Sequence, residues 1–157
     1  MAQSIIRMII MKVLRKSNRG KSLMFVNQII VSTREKENDR LNQLKKEDRL
    51  FYAEIDGGSI QSQTEYLDTM WRVFMLPDHK HMNFDAYLDW MTDLEWLGNK
   101  AVVMVMDHYS QFIAKNGDFG NKVVQSLKNH ILPWWQKDVI KCSVGGKMKH
   151  FTVYLLD

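Results

Sequence analysis

The sequence predicts an α/β fold: a small three-stranded parallel sheet with packed helices, in the order β-α-α-β-α-α-β, behind a basic amino-terminal extension. Three observations lead there. AVVMVMD (Ala101–Asp107) and FTVYLL (Phe151–Leu156) are apolar without alternation, as strands buried on both faces are. Segments of helical periodicity separate these runs from each other and from LFYAEID (Leu50–Asp56), and parallel strands need such crossovers. Charge then divides the chain. Residues 1–50 hold 12 Lys/Arg against 5 Asp/Glu, a net of +7, whereas 51–157 hold 10 against 13, a net of −3. That asymmetry predicts an extension over 1–50 and a domain over 51–157, with different partners.

The extension comes first. SIIRMIIMKVL reads as either an amphipathic helix or a strand, and RKSNRGKS as a basic turn around Gly20. LMFVNQIIVS (Leu23–Ser32) is rich in β-branched and aromatic residues and reads as a strand, so the two apolar runs are expected to form a hairpin. TREKENDRLNQLKKEDR reads as a solvated helix or linker with Thr33 as N-cap. RGKS is not a phosphate-binding P-loop, because the leading glycine of that motif falls at Arg15.

In the domain, LFYAEID is a strand that ends in the turn DGGS. Tyr66, Leu67, Met70, Trp71, Phe74 and Met75 recur at helical spacing, with Ser62 or Thr64 as cap and Pro77 marking the end. Asn83 is a good N-cap for a second helix, FDAYLDWMTDL. After AVVMVMD, a short helix HYSQFIAKN ends at the turn NGDFGN. A longer helix then runs to Pro133, and WWQKDVIKCSVGGKMKH reads as irregular before the last strand.

Composition excludes several classes. Cys142 is the only cysteine, so an intramolecular disulfide is impossible; it reads as a small buried hydrophobe in a reducing compartment. No apolar run approaches the roughly 20 residues of a membrane span. Arg7 and Lys12 interrupt the apolar start, and no small-residue cleavage site follows, so the chain reads as cytoplasmic.

One stretch concentrates chemistry: LPDHKHMNFDAYLDWMTD, Leu76–Asp93. His79, His81, Asp85 and Asp89 are all metal-ligand types, but no compact signature such as HExxH or CxxC accompanies them. No metal or cofactor is expected. Paired carboxylates also serve acid–base catalysis, and His108 and Tyr109 follow a strand end, a common place for α/β sites. No nucleophile–base elbow or phosphate loop supports them, so no enzyme is expected. The third reading is docking. Asp85 falls in the first turn of the capped helix, where the dipole favours an anion, with Asp89 and Asp93 one and two turns on. Like charges at this spacing cost a few tenths of a kcal/mol. A solvated helix face remains the plain alternative.

At these residues the chain resembles the barstar family, inhibitors of the ribonuclease barnase. The family pattern is Leu-Pro, a short loop, then Asn-x-Asp-Ala-x-x-Asp, and Leu76, Pro77, Asn83, Asp85, Ala86, Asp89 and Thr92 stand at matching positions. IDGGSIQSQTEYLDTM, AKNGDFGNKVVQSL and HFTVYLL resemble the flanking elements, so the likeness covers about 51–157. It implies a barstar-like fold and an inhibitor that plugs the cationic active site of a ribonuclease, or of another toxin with a basic site. Asp89 matches the main anchor and Asp85 its companion, while Asn83 and Thr92 match lesser contacts. Asp93 continues the acidic row. Relatives usually carry an aromatic at His79 and glycine at His81, so this loop, with Lys80 between the histidines, is where target choice is expected to lie. Trp90 and Leu88 also depart from the pattern, and the position of a further acidic contact falls near Lys128–Asn129, where no carboxylate stands. A different class of function stays open: an interaction protein whose basic 1–50 part binds RNA or an anionic surface, which the acidic 51–157 part is not expected to do.

Overall fold

The computed structural model describes residues 26–157. The fold is α/β, with one wholly parallel sheet of strands β1 (Gln28–Ser32), β2 (Leu50–Asp56), β3 (Ala101–Asp107) and β4 (Phe151–Leu156) in the spatial order β1-β4-β3-β2. The sheet therefore has four strands, not the three expected. The fourth is β1, from the LMFVNQIIVS run, and it pairs in parallel with β4, Gln28 opposite Thr152 and Ser32 opposite Leu156. Strand propensity marked the run but could not name its partner, because pairing is set by long-range register. The other half of the expected hairpin, and the basic turn, lie outside the described residues.

Helix α1 (Arg34–Leu44) follows β1 directly, and the Thr33 hydroxyl accepts from the Lys36 N–H as its cap. It crosses one face of the sheet to reach β2 on the opposite edge. Only Leu41 of α1 is fully buried; it packs with Val103, Val105, Tyr154 and Leu156, the side chains that β3 and β4 turn to that face. The other face carries the larger core. There Ala53, Ile55, Val102, Met104, Met106, Phe151, Val153 and Leu155 meet α2 (Gln63–Phe74), α3 (Phe84–Met91) and α4 (Tyr109–Ser126). Val102–Met106 and all of β4 are buried, so the unbroken apolar runs have the physical cause predicted for them: each central strand faces a packed layer on both sides.

The helix boundaries follow local chemistry. Ser62 caps α2, and Met75, at φ 55°, ends it in the left-handed conformation usual at such ends. Gly117, at φ 50° and ψ −121°, breaks α4 where the NGDFGN turn was expected. The stretch read as irregular is instead helical as far as Cys142. Wide π-type turns at Leu127–Ile131 and Trp134–Asp138 flank Pro133, whose φ of −63° is helical, and α5 (Val139–Cys142) completes it. Proline stops a helix by its missing N–H, and locally widened turns relax that requirement. Cys142 is exposed, not buried as expected.

Two ties hold the added strand. The Asn27 carboxamide donates to the Lys149 carbonyl (3.0 Å) and accepts from the Phe151 N–H (2.9 Å), clamping β1 to the start of β4. Arg34 of α1 bonds Glu54 of β2, which also pairs with Lys45 (2.7 Å). Burial alone would raise the Glu54 carboxyl, but the hydrogen bonds from Lys45 and Arg34 outweigh it and hold it below the ordinary value.

Two outcomes are expected. Leu41→Ala removes the only fully buried side chain of α1 and should cost about 2–5 kcal/mol in urea denaturation. Because Glu54 is the stronger acid when folded, its contribution is complete at neutral pH, above the unfolded value of about 4.3, and is lost as pH falls through the folded value. Glu54→Gln should therefore lower stability at pH 7 and flatten the decline between about pH 5 and pH 3. An unchanged acid slope would show that the pairing contributes nothing.

Candidate functional site

The face that carries the sequence-predicted residues is built on α3. Its eight residues make a short helix, so its rigidity comes from anchoring and not from its own length. Phe84, Tyr87 and Met91, at i, i+3 and i+7, are buried. The Tyr87 hydroxyl is hydrogen-bonded to that of Tyr66 on α2 at 2.9 Å, fully out of water, and burial pushes both phenols up. The Lys122 ammonium lies 4.3 Å from the centre of the Phe84 ring. The Trp135 indole N–H donates to the Met91 carbonyl at 2.9 Å, so the helical stretch after α4 grips the carboxyl end of α3.

Both ends are capped. The Asn83 side-chain oxygen accepts from the Ala86 N–H at 2.8 Å, as expected of an N-cap. Its amide nitrogen has no hydrogen bond among the described residues. Thr92 directs its hydroxyl back to the Leu88 carbonyl (2.8 Å) and that of Asp89 (3.1 Å), so its donor is used within the chain. Asp85, Asp89 and Asp93 are exposed. No Lys, Arg or His lies within ion-pair distance of them among the described residues, whose ion pairs all involve other carboxylates.

The two histidines part company. His79 stacks on Trp71 of α2, ring centres 4.2 Å apart, with its Nε2 2.8 Å from Asp68. His81 turns the other way, its Nδ1 3.1 Å from the Asp78 carboxylate. That hydrogen bond holds the Asp78 carboxyl below its usual range. Among the described residues no three His, Cys, Asp or Glu side chains are placed to hold a metal ion.

A shallow depression of about 300 Å³ lies beside α3, lined by Asp78, His81, Ala86, Asp89, Trp90 and Asp93. It brings together His81, Asp89 and Asp93 of the expected set. Asp85, Asn83, Thr92 and His79 stand outside it. Asp68 was not singled out by sequence reasoning, Trp71 was read only as a packing position of its helix, and Trp90 only as a departure from the family pattern. Their signal was spacing: Asp68 and Trp71 sit on the preceding helix, and only the tertiary fold lays them against the His79 loop.

His108 and Tyr109, the other sequence candidates, follow β3 at the carboxyl edge of the sheet, His108 as the residue before α4 and Tyr109 as its first. His108, at φ 53°, holds Asp56 at 2.7 Å, and Ser110 is bonded to Asp157. The His108 hydrogen bond leads in holding Asp56 below its ordinary value, against a smaller opposing effect of burial. These groups pair with one another across the ends of β2, β3 and β4.

Three comparisons bear on identity. The chain is similar in fold to the ORC2 protein of Aeropyrum pernix in its ADP form, with TM-score 0.57, 10% identity, and coverage of 96% of this chain and 40% of that one. A second structure of that protein, of its ADPNP-ADP complexes, aligns with TM-score 0.50, 13% identity, and coverage of 92% and 39%. This chain thus spans about two fifths of the length of those proteins, and the likeness concerns the fold alone. No curated protein sequence matches the chain. A family model described as Barstar (barnase inhibitor) matches residues 50–145, which include β2, α2, α3, β3, α4 and α5, and the chain therefore belongs to the barstar family.

Proposed function

We propose that this protein is an inhibitor, acting inside the producing cell, of a ribonuclease or a related toxin with a cationic active site. The observation that carries the reading is the face of α3: exposed carboxylates at Asp85 and Asp89, one turn apart on a helix capped and pinned at both ends, with exposed Asp93 just past its carboxyl end and no cation of their own among the described residues. Successive carboxylates about 6 Å apart approximate the charge spacing of a nucleic-acid strand. A nuclease cleft built for phosphates would take them among its Arg, Lys and His side chains.

The physics of such an inhibitor is selective. Pre-anchoring α3 removes the ordering cost that a flexible acidic segment would meet on binding. Unpaired carboxylates repel one another slightly in the free protein, and a cationic partner relieves that repulsion. Long-range attraction also speeds encounter, a behaviour for which barnase and barstar are themselves the type case. Asp89 is assigned as anchor and Asp85 as companion. Asn83 contributes its free amide and Asp93 extends the row. Thr92 supports the helix end, and His79 and His81 shape the approach to it. No chemistry by the inhibitor is required.

Barnase is the natural probe. The unaltered chain should suppress its cleavage of RNA. Asp89→Ala should weaken binding by about 2 kcal/mol or more, with a smaller loss for Asp85→Ala. The association rate should fall with added salt, and less steeply in the double variant. Equal affinity of Asp89→Ala and the unaltered chain would remove the anchor assignment.

A further inference from the structure

A second surface adjoins the acidic face. Beyond Thr92 and Asp93 lies an open groove of about 690 Å³. Leu94, Trp135 and Val139, all buried, form its floor, and Val144 and Met148 stand at its rim. Val144 is fully exposed, 110% relative to a reference chain, and Met148 is 37% exposed.

The groove is a built feature. Gly145 turns at φ 72°, and a Cβ on Gly146 would meet the Val139 carbonyl oxygen at 2.3 Å, so the loop can close on α5 only with glycine there. The Lys149 ammonium donates to the carbonyls of Gly98 (2.7 Å) and Lys100 (2.9 Å), and the Lys149 N–H to that of Trp135 (3.1 Å). These bonds tie the loop that carries Val144 to the opposite wall. An apolar side chain raised on a fixed loop beside a binding face is unlike the scattered apolar residues of an ordinary surface.

Area decides what covers it. α3, eight residues and about 12 Å long, is too short to supply by itself the roughly 800 Å² that a stable interface buries on each partner. A partner engaged by Asp85 and Asp89 must therefore spread well beyond α3. The groove shares Thr92 and Asp93 with the end of that helix, and Glu95 and Lys147 give its edge charges of both signs. An apolar centre with a charged rim is the usual anatomy of such an interface.

We propose that the groove is the second half of the inhibitory surface, and that it receives a large apolar side chain from a loop beside the active site of the bound ribonuclease. This rests on the reading of α3 as the inhibitory helix.

The test uses the full chain and barnase as probe. Val144→Ser combined with Met148→Ser leaves the net charge unchanged and should raise Kd about tenfold or more, through faster dissociation. Val31→Ser, on the exposed side of β1, should leave it unchanged. If the double variant binds like the unaltered chain while Asp89→Ala is weakened, the groove plays no part and the reading of α3 stands. If Asp89→Ala is also unaffected, both are overturned. Should the double variant fail to fold, amide hydrogen exchange on the unaltered chain decides. Slowed exchange over residues 143–149 in the complex supports the groove, and unchanged exchange there overturns it.

Discussion

Two strands, β3 and β4, give almost no surface to water, and the rest of the molecule is arranged to keep it so. A parallel sheet cannot leave a face bare when its central strands are apolar on both. One face is closed by α2, α3, α4 and the helical stretch that follows. The other is closed by α1, with Leu41 set over Val105 and Tyr154. This is the structural reason that residues 26–49, although outside the stretch matched by the family model, are part of the packed fold. They supply an edge strand and a cover that β3 and β4 would otherwise lack.

The same constraint makes the acidic helix rigid. α3 is too short to be stable alone, and it exists because Phe84, Tyr87 and Met91 fill the large core. Burial of that stripe leaves its carboxylates facing outward. The anchoring groups come from three different places: Tyr66 from the preceding helix, Lys122 from the second half of α4, and Trp135 from the turns after Pro133. Helix position and helix charge therefore have separate origins. The core sets where the helix lies, and the surface row sets what it attracts.

The order of elements from Leu50 onward was legible because it is written locally. Apolar runs without alternation, a proline after α2, an asparagine before α3 and a glycine inside α4 each act within a few residues of themselves. The candidate carboxylates were legible for the same reason, since i and i+4 positions share a face on any helix. Pairing was not. Leu23–Ser32 reads as a strand, but that its residues 28–32 lie parallel to Phe151–Leu156 depends on contacts more than a hundred residues apart. The helical continuation past Pro133 was hidden because proline propensity argues for a stop, and only widened turns packed on the core allow otherwise.

By itself, then, the sequence determined an α/β chain with buried parallel strands, a capped acidic helix and a charge balance that shifts from basic to acidic. Those are properties of composition and short-range spacing. Only the tertiary structure decided that the sheet has four strands and that His79 turns to Trp71 and Asp68 while His81 turns to Asp78. It also decided that Asp89, Asp93 and Trp90 share one depression, next to a groove whose walls come from two distant segments. The physical reason is the same in each case. A side chain's neighbours across space are chosen by packing, and packing is a property of the whole chain.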